Sequence, residues 1–229
     1  MKKTVQAAGG IAFSLILLLG LLCGVVLAVA GNAKTMNTLF LRHADTSITG
    51  VDIQEYPGLA EKITDYLVGH GDTFQTTLSV HGQTKEAFSE KELLHMQDVK
   101  SLFTLCRSVF LFCTLIVGVC LALSLFRMKS MLPLLSRSYL CVSLFITVLG
   151  TALAVWAVID FHSLFTLFHR LFFTNDLWLL NPKQDLLVQL MPTSFFVEYA
   201  ARTGLFWFMS AALACLISLL YLKRRKRQA

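Results

Sequence analysis

Charged residues are scarce in this sequence. They make up 15% of its 229 residues, whereas apolar residues make up 55%, and the mean hydropathy is +0.65. A soluble domain carries about 25% charged residues. The shortage excludes a disordered chain and a protein that coats nucleic acid, and it is typical of a polytopic membrane protein.

Four runs contain no charged residue at all. They cover 10–30, 108–126, 138–159 and 204–222, with 21, 19, 22 and 19 residues. A helix needs about 20 residues to cross a hydrocarbon core of about 30 Å. The sequence therefore predicts an α-helical polytopic membrane protein with four transmembrane helices.

Acidic residues are missing from one side of this predicted membrane. The N-terminus, the loop between the second and third runs and the C-terminal tail hold none of the 14 acids but 10 of the 20 bases, namely Lys2, Lys3, Arg127, Lys129, Arg137, Lys223, Arg224, Arg225, Lys226 and Arg227. The other side then nets 10 − 14 = −4. Lys and Arg near span ends stay cytoplasmic. Both termini are therefore predicted inside and the two long loops outside. The basic tail is predicted to be a topology anchor near anionic lipid.

The predicted organisation follows from these runs. It consists of a cytoplasmic N-terminus with the first span (1–31), an extracellular cap with a rising helix (32–106), the second span (107–126), a cytoplasmic loop (127–137), the third span (138–160), an outer interfacial loop (161–203), the fourth span (204–222) and a cytoplasmic tail (223–229). A cleaved signal peptide is the alternative for the N-terminus. Its apolar core is usually about 7–15 residues, shorter than the run here, which favours an uncleaved first span.

Cysteine is absent from the outer loops away from the membrane edge. The six cysteines lie in or beside the spans, at Cys23, Cys106, Cys113, Cys120, Cys141 and Cys215. None has the CxxC-like spacing or the His partner of a metal or redox site. We expect them to be small packing residues, and we expect neither a metal nor a cofactor.

The first outer loop has the pattern of a small extracellular α+β cap. A helix is predicted over 57–68, with Pro57 in its first turn and Gly69 after its end. A hairpin is predicted from strands at 73–80 and 85–88 around the turn His81-Gly82. His43, His70 and His81 show no partner in the sequence and are interpreted as solvated loop residues.

A long helix follows the cap. Ser89 and Glu92 form a capping box, and no helix breaker occurs before Arg127, which predicts one helix of about 38 residues. On it His95 and Asp98 lie one turn apart on the same face. His95 is then about 10–15 Å above the hydrocarbon edge. The alternative is an ordinary surface pair on an exposed helix.

The second outer loop is rich in aromatic residues. The segment 160–180 reads DFHSLFTLFHRLFFTNDLWLL, with too many polar groups to span a membrane and too many aromatic rings for a free loop. It is predicted to be an interfacial segment with its aromatic side toward lipid. His162 and His169 are seven residues apart and share a face if the segment is helical. An aromatic belt with incidental histidines is the alternative.

Motifs of common ester-processing enzymes are also absent. The chain has no GxSxG elbow, no HExxH zinc pair and no HxxxxD motif of acyltransferases that use soluble donors. All six histidines are predicted on the outer side, and two segments carry them near the depth of lipid ester bonds. Histidine exchanges protons near neutral pH, as acyl transfer from an ester requires.

Three segments resemble a known family. FSEKELLHMQDVK at 88–100 contains an E-x-x-H-x-x-D-V pattern, and FHRLFFTNDLWLLNP at 168–182 and PTSFF at 192–196 are similar to the second and third blocks of the same family. This is the bacterial lipoprotein intramolecular transacylase family, Lit, with four spans and an extracellular cap. Residues 32–87 resemble it in length and position only.

The resemblance implies a reaction and a catalytic pair. Family members move the sn-2 acyl chain of a diacylglyceryl lipoprotein onto the free α-amino group of its own N-terminal cysteine, which leaves an N-acyl lyso-form lipoprotein. The motifs carry the two catalytic histidines to His95 and His169, and His162 falls outside the matched block as a secondary candidate. The implied partners are the diacylated lipoprotein and membrane lipid, and no nucleic acid is expected.

Further residues are assigned supporting roles in this hypothesis. Asp98 or Asp176 is expected to orient an imidazole, and Asn175 to support the oxyanion. Eight aromatic residues are expected to line the acyl chains and exclude water: Phe161, Phe165, Phe168, Phe172, Phe173, Trp178, Phe195 and Phe196. A lipid-binding accessory protein and a lipid-ester hydrolase remain as alternatives. Which histidine is the base does not follow from the sequence.

Overall fold

The computed structural model describes residues 2–126 and 131–228. The helices are α1 (Lys2–Ala30), α2 (Ala33–His43), α3 (Thr46–Thr49), α4 (Tyr56–Val68), α5 (Glu90–Phe126), α6 (Met131–Ile159), α7 (Phe161–Phe172), α8 (Leu186–Leu190) and α9 (Thr193–Gln228). A 3-10 turn covers Ile53–Glu55, and the strands are β1 (Thr77–Val80) and β2 (Gln83–Glu86). Arg127 and Lys129 of the predicted cytoplasmic loop lie outside the described residues, as do the side chains of Lys2 and Lys3.

Within the described residues, four helices are long and apolar enough to cross a membrane, namely α1, α5, α6 and α9. The prediction of four transmembrane helices is confirmed. With 37 and 36 residues, α5 and α9 exceed the roughly 20 that a bilayer requires. Their charged first parts precede the charge-free runs 108–126 and 204–222. We therefore treat only these runs as the membrane-spanning parts of α5 and α9.

The helices contribute to two compact units. The first contains Met1–Val25, Arg107–Val155 and Gly204–Ala229. Its buried centre is formed by Leu18, Tyr139 and Ala211. The Tyr139 hydroxyl donates to the Ala211 carbonyl at 3.0 Å, and the Trp207 indole N–H donates to the Leu18 carbonyl at 3.1 Å. In an apolar setting such side-chain donors need an acceptor. The first bond joins α6 to α9, and the second joins α9 to α1.

Close helix contacts in this unit depend on small residues. A Cβ atom on Gly20 of α1 would lie 2.9 Å from the Cβ of Cys113 in α5, and one on Gly10 would lie 2.2 Å from the Ser138 hydroxyl in α6. Cys113 is buried. The expected packing role of the cysteines is therefore met at Cys113, where the small thiol allows α1 and α5 to approach.

The second unit contains Val26–Cys106 and Trp156–Thr203. It encloses a core contributed by α2, α4, the hairpin, the start of α5, α8 and the start of α9, with fully buried Phe40, Tyr56, Phe74, Leu190 and Phe195 among its members. Two stretches of chain separated by about fifty residues thus share one core. Every residue predicted for the site lies in this unit.

Two helices of this unit differ in how well they were predicted. The helix expected at 57–68 is α4, which ends at Gly69 with a left-handed φ of 85°. By contrast α2 was not predicted, although Asn32 caps it by accepting from the Thr35 N–H at 2.9 Å. Its buried face comprises Met36, Leu39 and Phe40 only. These three positions have the i, i+3, i+4 spacing of a helix face, but the short segment was not singled out as a helix.

The hairpin is confirmed, but β1 is shorter than the predicted 73–80 and β2 lies two residues before the predicted 85–88. β1 pairs antiparallel with β2 in the register Thr77↔Glu86 to Val80↔Gln83. His81 and Gly82 form the two-residue turn with φ of 51° and 77°. Beyond the strands the Ala87 N–H donates to the Thr76 carbonyl at 2.9 Å, and after that bond the Gln75 side-chain amide takes the place of the ladder. It accepts from the Phe88 N–H at 3.1 Å and donates to the Phe88 carbonyl at 2.7 Å.

Replacing Gly20 by Val should destabilise the first unit, because its side chain would overlap Cys113. Overpacking of this kind costs about 1–3 kcal/mol. Thermal unfolding in detergent should show a lower midpoint for Gly20→Val. Gly118→Val is the matched control, since a Cβ on Gly118 would meet nothing within 4 Å. Equal midpoints for the two variants would contradict the close approach of α1 and α5.

Candidate functional site

The site begins at the N-terminus of α5, where the predicted capping box is present. The Ser89 N–H donates to Glu92 Oε2 at 2.7 Å, and the Glu92 N–H donates to the Ser89 hydroxyl at 3.4 Å. The second oxygen of Glu92, Oε1, accepts from the Leu187 N–H at 2.6 Å. Glu92 is only 1% exposed. This buried carboxylate therefore fixes both the start of α5 and the start of α8.

α7 supplies the other half of the site. Asp160 caps the helix by accepting from the Ser163 N–H at 3.0 Å, and the chain leaves the helix after Phe172. The helix is strongly amphipathic because Phe161, Phe165 and Phe172 lie along one side. His169 is in its last turn and is the buried residue of α7.

His95 and His169 come together. Their ring centroids are 6.1 Å apart, and each residue is only 7% exposed. They are 74 positions apart in sequence and belong to different helices of the same unit. The two histidines that the resemblance selected are thus neighbours in one enclosed site.

The ring of His169 has a defined orientation. Its Nδ1 lies 2.8 Å from the Phe165 carbonyl oxygen, one turn earlier in α7. A carbonyl only accepts, so Nδ1 carries the proton and the neutral ring presents the Nε2 lone pair. Burial lowers the pKa of His169, although the bond to Phe165 acts in the opposite direction. At neutral pH the ring is uncharged and has a free acceptor at Nε2.

The ring of His95 has fewer hydrogen-bond partners than that of His169. Its Nδ1 is buried and has no hydrogen-bond partner among the described residues, and its ring meets the edge of Phe173 at 5.3 Å. Burial, with repulsion from His169, lowers the pKa of His95 from 6.5 to about 4, against the opposing effect of Asp98. A buried polar atom without a partner is costly and rare in native proteins. Such an atom is a candidate for contact with a substrate.

The eight aromatic residues expected to line the site form one connected set of ring contacts. Around His169, the centroids of Phe165, Trp178, Phe168 and Phe173 lie at 4.1, 4.8, 5.4 and 5.4 Å. The remaining four join through these rings or each other: Phe161 to Phe165, Phe172 to Phe168, Phe196 to Phe165 and Phe195 to Phe196. The histidines are therefore enclosed by rings and shielded from water.

The segment 173–185 runs along α5 and is held to it by polar contacts. The Asn175 amide donates to Asp98 Oδ2 at 2.9 Å, and Lys91 Nζ donates to the Leu179 carbonyl at 2.5 Å. These bonds hold Trp178 beside His169. Asp98 was expected to orient an imidazole. Among the described residues its carboxylate accepts from the Asn175 amide, and its charge acts on His95 by raising the pKa of that ring against the effect of burial.

Asp176 and His162 are not part of the enclosed pair. Asp176 is exposed, and its carboxylate makes no hydrogen bond or ion pair with the described residues. His162 is exposed in the first turn of α7, beside a surface depression lined by Ser163, Thr166 and Arg170. Although His162 and His169 are seven residues apart in α7, His162 is exposed and His169 is buried. The spacing therefore does not bring His162 into the site.

Some polar contacts were missed by sequence reasoning. His43 was interpreted as a solvated residue, yet its Nε2 lies 2.7 Å from Glu198 Oε2, and Arg42 reaches the same carboxylate at 2.8 Å. The partners are about 155 positions apart, so no local pattern indicates them. The hydrogen bond from the Leu187 N–H to Glu92 was also not predicted, although the capping box had identified Glu92. In residues 2–126 and 131–228, no three His, Cys, Asp or Glu residues are grouped to hold a metal ion.

Comparisons with known proteins agree with this fold. The chain matches the family model "Lipoprotein intramolecular transacylase Lit" over residues 11–196. Among solved structures it is similar to the membrane integral lipoprotein intramolecular transacylase Lit from Bacillus cereus, with 20% identity and a TM-score of 0.76 over 99% of this chain and 100% of that chain. No curated protein matches the chain.

Two further structures of the Bacillus cereus protein also match, each with one histidine replaced. The arginine variant has 19% identity and a TM-score of 0.73, over 100% of this chain and 96% of that one. The alanine variant has 20% identity and a TM-score of 0.72, over 100% and 98%. At such identities these structures establish the shared membrane-integral fold.

We expect His95 to titrate near pH 4 and His169 below 6.5, so that both rings are neutral at pH 7. NMR of protein labelled with ¹⁵N-histidine in detergent should give both midpoints. His95→Asn and His169→Asn assign the signals, and a histidine peptide in the same detergent is the reference. A midpoint for His95 at or above 6.5 would contradict its burial.

The lowered pKa of His95 also predicts that the protein loses stability in acid. An unfolded histidine binds its proton near pH 6.5, whereas folded His95 resists it until about pH 4. The unfolded state therefore gains protons first, and the free energy of unfolding falls as the pH drops through this window. Denaturant unfolding should show a shallower loss between pH 6.5 and 4.5 in His95→Asn than in the wild type. Identical slopes would remove His95 as a source of the effect.

Proposed function

The chain belongs to the lipoprotein intramolecular transacylase family, and we propose that His95 and His169 carry out its acyl transfer by acid–base catalysis. The observation that carries this proposal is the approach of two buried imidazoles to 6.1 Å between ring centroids. At this separation one ester group placed beside the two rings can contact both. Acid–base catalysis also requires no activated Ser or Cys.

The proposed substrate is a diacylglyceryl lipoprotein with a free α-amino group on its N-terminal cysteine. The amine attacks the carbonyl carbon of the sn-2 ester, a C–N bond forms, and the C–O bond to glycerol breaks. The amine loses one proton and the glyceryl oxygen gains one, so no further reactant is needed. Holding amine and ester together supplies a large part of the rate enhancement.

His169 is the base in this proposal. Its Nδ1–H bond to the Phe165 carbonyl leaves Nε2 as the acceptor, which suits a group that removes a proton from the attacking amine. An α-amino group has a pKa of about 7.7–8.0 and is partly protonated at neutral pH, so a base is required. Because the His169 pKa is lowered by burial, the ring is neutral and ready to accept.

His95 has the complementary role. With a pKa of about 4 it is seldom cationic at neutral pH, and it acts through the N–H of its neutral ring. That N–H donates a hydrogen bond to the oxygen that develops negative charge in the tetrahedral intermediate. Protonated His169 then gives the proton that it took from the amine to the departing glyceryl oxygen, so the protons balance. The second amide N–H of Asn175 is a further donor near the site, since its first is bonded to Asp98.

The aromatic contacts support the choice of transfer over hydrolysis. Four phenyl and indole rings surround His169 within 5.4 Å between centroids. Such a wall keeps water from the ester, which water would otherwise hydrolyse, and offers an apolar surface to acyl chains. Phe168 and Phe172 are 45% and 47% exposed, as suits rings that face lipid.

We also propose an orientation for the membrane protein. The basic tail at 223–227 and the two N-terminal lysines favour cytoplasmic termini, and all 14 acids then lie outside. The histidine pair is thereby proposed at the outer membrane–water interface, where the lipoprotein's glyceryl esters lie. Labelling of single cysteines introduced at 223–227 from outside intact cells would contradict this orientation.

Replacing either histidine by Ala should abolish N-acyl formation. Loss of one proton-transfer group costs about 10²–10⁴-fold in rate. The variants would be expressed in cells that make diacylated lipoproteins, and the N-terminal lipopeptide analysed by mass spectrometry. His70→Ala is the matched control, because its side chain is 73% exposed.

The same spectra separate the alternatives. An N-acyl lyso-glyceryl peptide in the wild type, absent from His95→Ala and His169→Ala, supports the pair. Full conversion by both alanine variants would refute it. Free fatty acid without N-acyl peptide would indicate a hydrolase, and unchanged diacylated peptide with folded wild-type protein would indicate an accessory protein.

Asn175→Asp should reduce the transfer rate, since two carboxylates would then face each other across the 2.9 Å contact with Asp98. Repulsion would release the segment that holds Trp178 beside His169. Exchanging the two residues, Asp98→Asn with Asn175→Asp, restores one amide and one carboxylate. It should recover the part of the rate that is lost through repulsion, but not the contribution of the second Asn175 N–H. Initial rates from the lipopeptide assay test this. A double variant as impaired as Asn175→Asp alone would argue against the contact.

A further inference from the structure

A second polar centre lies outside the proposed catalytic pair. Among the described residues three of the four ion pairs converge on Glu198: from Arg42 at 2.8 Å, His43 at 2.7 Å and Arg202 at 2.6 Å. Arg42 and His43 are in the last turn of α2, and Glu198 and Arg202 are in the first turns of α9. We call these four residues the Glu198 cluster.

The Glu198 cluster carries unbalanced positive charge. Two guanidinium groups share one carboxylate, so it has a net charge of +1 with His43 neutral and +2 with His43 protonated. No other acidic residue of the described chain forms an ion pair with either arginine. The Arg42 side chain is 57% exposed, and only its Nη1 is used by Glu198. Most of the Arg42 donors therefore remain available to an anion.

The cluster is not required to hold α2 against α9. One turn away, the rings of Phe40 and Phe195 lie 5.8 Å apart between centroids, and Phe40 also meets the ring of Tyr56 at 5.9 Å. Phe40, Tyr56 and Phe195 are at most 1% exposed. Burial of such rings stabilises the contact more than exposed ion pairs do. Holding α2 against α9 therefore does not account for the net positive charge of the Glu198 cluster.

The position of Arg202 along α9 indicates what kind of anion the Glu198 cluster can bind. Arg202 precedes the charge-free run 204–222 by two residues, which is about 3 Å of helix rise. The polar layer above the hydrocarbon core is about 5–8 Å deep on each side and contains the lipid phosphates. Guanidinium groups bind phosphate oxygens through paired N–H donors.

We propose that the Glu198 cluster binds the phosphate of an anionic phospholipid headgroup. Arg42 and Arg202 donate to the phosphate, Glu198 holds the two guanidinium groups in place, and His43 adds charge when protonated. The inference rests on the membrane insertion of α9, not on the acyl transfer, so the lipopeptide assay and the lipid assay below fail independently.

The test uses the full chain purified from vesicles that contain equal amounts of phosphatidylglycerol and phosphatidylcholine. Native mass spectrometry counts the lipids retained by each protein. A basic residue near a membrane surface contributes about 1 kcal/mol, so we expect roughly fivefold enrichment of phosphatidylglycerol for each arginine involved. Arg42→Gln should lose about that factor, whereas Lys183→Gln, an exposed base away from the Glu198 cluster, should not.

Thermal unfolding of the same preparations controls for misfolding. Because the aromatic contact of Phe40 with Phe195 remains, Arg42→Gln should unfold near the wild-type temperature and still lose the enrichment. Equal retention of both lipids by the wild type, or unchanged enrichment in Arg42→Gln, would overturn the proposal. Displacement of phosphatidylglycerol by millimolar inorganic phosphate would assign the cluster to a soluble anion and overturn the lipid assignment.

Discussion

The buried carboxylate of Glu92 connects the two stretches of chain that build the site. It accepts from the Ser89 N–H at the start of α5 and from the Leu187 N–H at the start of α8. Burying an ionised carboxylate costs several kcal/mol unless its oxygens are hydrogen bonded, and here both oxygens are. One turn later α5 carries His95. The position of the histidine and the return of the chain toward α9 thus depend on the same polar contact.

From that point α5 acts as a support for the segment after α7. Lys91 and Asp98 hold Leu179 and Asn175, and the indole ring of Trp178, which lies between them in the chain, packs beside His169. The resulting site combines a fixed imidazole with a buried nitrogen that has no hydrogen-bond partner among the described residues. Polar groups left unpaired in a dry site are costly for folding but are suited to contact a substrate. This combination supports the proposed transfer of an acyl group within one lipoprotein.

Several elements whose physical cause is local were predicted, although α2, which Asn32 caps locally, was not. The capping box of Ser89 and Glu92, the left-handed Gly69 and the turn at His81 each involve residues within a few positions, and the helices and hairpin follow them. Contacts with distant partners were not predicted. The salt bridge of His43 with Glu198 joins residues 155 positions apart, and Asp98 accepts from an amide 77 positions away.

The sequence by itself determined the four spans. Charged side chains are costly in hydrocarbon, so spans are found directly as runs without charged residues. Its motifs also selected His95 and His169 from six histidines through a family resemblance. Only the tertiary structure decided their environment. Burial lowers the pKa of both rings, a backbone carbonyl selects the His169 tautomer, and His162 is left outside. Burial and hydrogen bonding depend on what the folded chain brings near each ring, and sequence spacing does not contain that information.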